Sequence, residues 1–125
     1  MTRFAILEHT GAPDDPAGRH FDLLVDVGPA CRTWRLLAVP TPGGGPVAAM
    51  ELPPHRLEWL DRIEGEVSGG RGFARRVDAG GFTLLAGDAA DLAAATQFVM
   101  ELRGAAITGR LRLEAVTAGW AVRLD

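Results

Sequence analysis

Glycine and proline break this chain into short apolar runs, and few folds tolerate that punctuation. Sixteen glycines and eight prolines recur at intervals of roughly 8–12 residues, too close for helices of ordinary length and right for an all-β sandwich or barrel. Arg3–His9 and His20–Val27 read as strands on either side of a polar loop, Thr10–Arg19, which holds Pro13, Pro16 and two aspartates. Joined by that loop, they are positioned to pair as a hairpin. Further strands are expected at Arg32–Val39, Val47–Leu52, Phe73–Asp78, Gly81–Leu85, Thr96–Leu102, Thr108–Val116 and Gly119–Leu124. In Thr108–Val116 the alternation of Arg110, Arg112 and Glu114 with Leu111, Leu113 and Ala115 gives the period of two directly. Pro53 and Pro54 predict an irregular turn that leaves His55 just past a rigid corner. The single helical piece expected is short, Asp88–Ala95, alanine-rich with Asp88 as its cap.

A chain of 125 residues, 47% hydrophobic and 23% charged, has the makeup of one domain over residues 1–125, large enough to bury a core. Thirteen basic against sixteen acidic side chains give a net charge of −3, so no chain-wide positive field draws in nucleic acid or an anionic membrane. Any nucleic-acid contact has to be local. No apolar run approaches the ~20 residues of a membrane helix, and no signal-peptide core follows Met1. The lone Cys31 has no partner for an internal disulfide or a thiolate zinc site, which fits a reducing compartment. A cytoplasmic monomer that does not engage a membrane is expected.

Three histidines carry most of the chemistry available. Residues two apart on a strand share a face, so His20 and Asp22 project together while Phe21, Leu23, Val25 and Val27 face the other way. Hairpin pairing would bring His9 beside His20. Two imidazoles and a carboxylate at that separation suit Mn²⁺, Fe²⁺ or Zn²⁺ with open positions for water and substrate. The same spacing also describes polar groups on a solvated hairpin edge, and alone it does not choose between them. His55 stands by itself after the proline pair. Ser68-Gly69-Gly70-Arg71-Gly72 reads as a hairpin loop, since no helix follows and the Gly-Lys-Ser/Thr of a P-loop is absent. Arg75 and Arg76 must point to opposite faces of one strand.

Several blocks follow one another in a recognisable order: Phe4-Ala5-Ile6-Leu7-Glu8-His9, His20-Phe21-Asp22-Leu23, Thr33-Trp34, Pro54-His55-Arg56-Leu57-Glu58-Trp59, Ile63-Glu64-Gly65-Glu66-Val67, Val77-Asp78-Ala79-Gly80 and Leu102-Arg103-Gly104 through Gly109-Arg110. Across nearly its whole length the chain resembles the 3′-phosphoesterase domain of bacterial DNA ligase D, here standing alone. The resemblance implies a compact β-barrel with a groove on one side and a manganese-dependent phosphoesterase that removes a 3′-phosphate or a 3′-terminal ribonucleoside in DNA repair. On that pattern His9, His20 and Asp22 are the metal ligands, for Mn²⁺ or another divalent transition metal, and His55 contacts the scissile phosphate. The implied partners are nucleic-acid 3′ ends and a separate ligase or polymerase.

The departures are specific. Leu24 and Val47 stand where the family has arginines, Ala38 where it has a lysine, and Trp59 where it has a tyrosine. Arg35 is the neighbouring cation that could reach the phosphate instead. The loop between the two metal histidines is about twice the usual length, at a closure cost of only ~0.6 kcal/mol, and the family's N-terminal arm is missing. A second reading is therefore a catalytically weak metal-binding module that binds nucleic-acid ends or a repair partner. Restoring Leu24→Arg and Val47→Arg is the rescue the pattern suggests.

Overall fold

The computed structural model describes residues 2–87 and 91–125. Its strands are β1 (Arg3–Thr10), β2 (Arg19–Asp26), β3 (Cys31–Leu36), β4 (Val47–His55), β5 (Glu64–Glu66), β6 (Phe73–Ala86), β7 (Gln97–Gly104), β8 (Thr108–Val116) and β9 (Gly119–Leu124), with one 3-10 turn at Leu57–Asp61. Neighbours run β1-β2-β3-β4-β9-β8-β7-β6-β5, and β1 pairs back onto β6. Eight antiparallel strands thus close into a barrel and β5 remains as an extra strand on β6. Closure leaves those eight without a free edge, which an open sheet of this length would have to protect in some other way. No helix among the described residues is long and apolar enough to cross a membrane.

The alternation in the strands fills the barrel. Phe4, Ile6, Leu23, Val25, Trp34, Leu36, Met100, Leu111 and Leu113 are buried in one cluster, where the Trp34 ring packs edge-on against Trp120 with centroids 5.3 Å apart. Arg32 is also buried. Its guanidinium lies 4.9 Å over the Trp34 ring and 5.0 Å over that of Trp120, pairs with Glu51, and donates to the carbonyls of Leu92 and Ala95. It therefore ties the segment before β7 to the barrel.

A second, smaller cluster covers part of the outer wall. Ala5, Leu7, Leu24, Cys31 and Leu60 are buried there, with Leu57 and Trp59 of the 3-10 turn packed over them. This explains why β1 and β2 are apolar at consecutive positions: over that stretch both faces of the sheet are covered. Burial pushes the Cys31 thiol up to about 11, leaving it an inert packing group.

Two expectations need correction. Pro53 and Pro54 do not end the strand, because β4 runs to His55. Thr33 pairs with Leu52 and Cys31 with His55, so the prolines fall in the register shift between those pairs, where no ladder N–H is needed. Phe73–Asp78 and Gly81–Leu85 are one continuous strand. Gly80 is there for close packing, since a Cβ on it would lie 2.1 Å from the Arg103 carbonyl oxygen. The expected helix Asp88–Ala95 falls partly outside the described residues, at 88–90; of the rest, Asp91 has 3-10 conformation and 92–94 form turns.

Asp78, within one of the blocks that carry the resemblance, has a structural role. It is buried and accepts hydrogen bonds from the backbone N–H groups of Ala106 (3.1 Å) and Ile107 (2.7 Å), fixing the β7–β8 turn. Asp78→Ala leaves two donors without their acceptor and is expected to lower stability by about 1–3 kcal/mol. A shift in the urea midpoint at unchanged slope checks this.

Candidate metal centre

The β1–β2 register sets His9 directly opposite His20 and Leu7 opposite Asp22. All three polar side chains continue the outer face on which Ala5, Leu7 and Leu24 are buried. His20 and Asp22 are buried and His9 is half-buried. His9 Nδ1 lies 3.6 Å from Asp22 Oδ2, and His20 Nε2 lies 3.2 Å from Asp22 Oδ1. One candidate ligand atom from each residue lies within 4.8 Å of the others.

Each imidazole is oriented by an acceptor on its far nitrogen. His9 Nε2 donates to the Arg71 carbonyl at 2.7 Å, which leaves Nδ1 with its lone pair toward Asp22. His20 Nδ1 donates to Asp15 Oδ2 at 2.8 Å, which leaves Nε2 as the free nitrogen. Such outer partners fix tautomer and ring orientation in metal sites and raise ligand basicity. Sequence reasoning missed both. Asp15 belongs to the long loop between the histidines, where its other oxygen accepts from the Ala17 N–H at 3.1 Å. The Ser68–Gly72 loop contributes a backbone carbonyl, for which no side-chain signal exists.

The donor set fits a divalent ion. His20 Nε2 and Asp22 Oδ1 are buried yet have no hydrogen-bond partner among the described residues, an arrangement that is expensive unless something else satisfies both atoms. Burial pushes the Asp22 carboxyl up, but the adjoining His20 and His9 imidazoles outweigh it and hold the group at about 2. It is a carboxylate across the physiological range. A proton on His9 Nδ1 would hydrogen-bond to the Asp22 carboxylate, which raises the proton affinity of His9, so an ion binding at Nδ1 competes with that proton. Affinity should increase with pH until His9 is neutral.

Asp22 and His9 line a cavity of about 500 Å³ together with Arg35, Leu52, His55 and Trp59. Arg35 is the cross-strand partner of Asp22. Its Nη2 donates to Asp14 at 3.4 Å and its buried Nε has no partner. His55 donates from Nδ1 to the Pro53 carbonyl at 3.1 Å, leaving Nε2 available, and its ring meets Trp59 edge-on at 5.7 Å. The four histidine and aspartate candidates and Arg35 are thus brought to one region. Arg75 pairs with Glu8 at 3.0 Å and Arg76 donates to the Leu60 carbonyl at 3.0 Å, both outside the cavity lining. Val47 packs against the barrel interior and Ala38 is exposed. Compared with known proteins, the chain matches no protein-family model and no curated protein.

Binding to the folded state alone stabilises by mass action, about 2.7 kcal/mol at one hundred times the dissociation constant, or a rise in melting temperature of about 10 °C. Mn²⁺ is expected to produce that rise in the wild type and none in Asp22→Ala. Asp15→Asn should weaken the metal about 10–100-fold while leaving the ligands in place. Thermal melts across a metal titration read both.

Proposed function

We propose that the protein is a manganese-dependent phosphoesterase that trims a 3′-phosphate or 3′-terminal ribonucleoside from nucleic-acid ends, as its resemblance to the 3′-phosphoesterase domain of bacterial DNA ligase D implies. The reading is carried by one observation: a cluster of two oriented histidines and a buried carboxylate opens, through His9 and Asp22, onto a cavity that also holds His55 and Arg35.

His9 Nδ1, His20 Nε2 and Asp22 would hold the ion, which supplies Lewis-acid polarisation of a phosphoryl oxygen. Arg35, braced by Asp14, offers its unpartnered Nε–H to another phosphoryl oxygen, a charge-assisted bond in a site shielded from water. His55, held through Nδ1–H by the Pro53 carbonyl, would in its imidazolium form use Nε2–H to stabilise charge developing on the phosphoryl group or to protonate the leaving oxygen, which a water oxygen replaces on phosphorus. Arg35 thereby takes over a task for which the family uses cations at positions that are apolar here.

Leu24 favours the second reading, a metal-retaining module with weak catalysis that binds nucleic-acid ends or a repair partner, because a core leucine replaces a phosphate-binding arginine. The experiment that separates them is release of inorganic phosphate from a 3′-phosphorylated primer-template with Mn²⁺. Turnover that disappears on chelation supports the enzyme. No turnover on 3′-phosphate or 3′-ribonucleotide ends, with metal binding demonstrated by the thermal shift, leaves the module.

A further inference from the structure

We infer that the groove takes one small phosphoester of nucleotide size, with a flat aromatic alcohol part, rather than a length of polynucleotide backbone. This rests on the phosphoesterase reading of the metal site and specifies its substrate class.

The inner cavity, about 500 Å³, lies within the range of small-molecule sites. It opens into a wider groove of about 1610 Å³ with which it shares Arg35, His55 and Trp59. A groove that follows a nucleic-acid strand presents a row of uncommitted cations to successive phosphates. This groove does not. Arg35 faces Asp14 and Arg56 faces Glu58, each at 3.4 Å. Arg71 folds back onto the Ser68 carbonyl and hydroxyl at 2.6 and 2.9 Å. Arg62 lies 4.2 Å over the Trp59 ring and donates to the Glu66 carbonyl. Glu64 and Glu66 add negative charge along the walls, while Asp61 is paired with Arg3 at 2.8 Å. Among the described residues, no run of free arginine donors is left along the groove to hold successive phosphates.

The remaining wall is apolar. Trp59 borders both the cavity and the groove, while Ile63, 66% exposed, and Phe73, 39% exposed, face the groove without a covering element. Flat rings stack on such a surface whatever their hydrogen-bonding pattern, and the stacked guanidinium of Arg62 extends the platform. One phosphate at Arg35 and the metal ligands, with its aromatic alcohol against Trp59 and Phe73, satisfies the cavity and the apolar wall together.

The test measures kcat/KM with Mn²⁺ for adenosine 3′-monophosphate, 4-nitrophenyl phosphate, glycerol phosphate and a 3′-phosphorylated single strand about ten nucleotides long. The mononucleotide and the strand should agree within about threefold, with little dependence on salt. Glycerol phosphate, which cannot stack, should be about tenfold poorer. Comparison with the nitrophenyl ester tells a nucleobase requirement from stacking alone. Ile63→Ser combined with Phe73→Ser, both at exposed positions, should reduce the aromatic preference, with Trp59 still present, without unfolding the barrel. A rise of about 100-fold with strand length, falling steeply with salt, would overturn the inference while leaving the phosphoesterase reading intact.

Binding is read separately by tryptophan fluorescence, since Trp34 and Trp120 are buried in the barrel and Trp59 is the tryptophan at the groove. If no ester turns over, quenching by adenosine 3′-monophosphate in Mn²⁺ but not by inorganic phosphate sustains the inferred ligand class although the enzyme reading fails. Absence of quenching overturns it.

Discussion

Leu24→Arg should unfold the protein at temperatures the wild type survives, and should not restore any activity. Leu24 is fully buried, among Ala5, Leu7, Cys31 and Leu60, beneath the 3-10 turn at Leu57–Asp61. Replacing it forfeits about 2 kcal/mol of apolar burial and places a guanidinium in a cluster packed to accept a leucine. An unpaired charge at such a position adds several kcal/mol more. A total of about 4 kcal/mol or above is a large share of the stability of an ordinary domain, equivalent to roughly 15 °C in melting temperature. Leu24→Met, similar in volume, should cost under about 1.5 kcal/mol. Melting curves of the two variants give the comparison. Equal stability for both, together with increased phosphate release from Leu24→Arg, would restore the family pattern as a guide to this position. Val47→Arg offers no alternative route, because Val47 pairs with Val122 and packs against the barrel interior.

His55→Ala is expected to lower turnover about 10²–10³-fold while preserving the manganese-induced rise in melting temperature. The ring borders the same cavity as His9 and Asp22 but is absent from the cluster of candidate ligand atoms. Metal affinity and catalysis therefore separate at this residue. The fold should tolerate the change, since His55 is half-buried at the end of β4 and its side-chain hydrogen bond goes to the nearby Pro53 carbonyl. Activity assays and metal titrations on one preparation distinguish the cases. Loss of the thermal shift would mean that His55 is itself a ligand, and unchanged turnover would remove it from the chemistry.

The extra length of the loop between the histidines also acquires a purpose. Asp15 orients His20, and Asp14 faces Arg35. A small closure penalty thus supports two groups that border the candidate site, which is why the long loop and the His9, His20 and Asp22 cluster are compatible.

Local periodicity was enough to read much of this molecule. Strand alternation in β8, the turn glycines, and the pairing of His9 with His20 across a hairpin are consequences of a period-two backbone and of one connecting loop. The common face of His20 and Asp22 follows from the same period, so the triad was legible before any coordinates. Tertiary structure decided everything that depends on elements far apart in the chain. The Arg71 carbonyl that orients His9 comes from 62 positions away. The closure of β1 onto β6 sets Ala74 opposite His9 in the cavity wall, and the 3-10 turn turns Leu24 from a surface position into a core one. Pro53-Pro54 and Gly80-Gly81 look like breaks in sequence because their missing side chains or N–H groups weaken a strand on its own. In the barrel a register shift absorbs the first pair, and close packing against Arg103 requires the glycine at position 80. Strand period and hairpin pairing are local properties of the backbone, whereas which face is covered, and by what, depends on how the barrel closes.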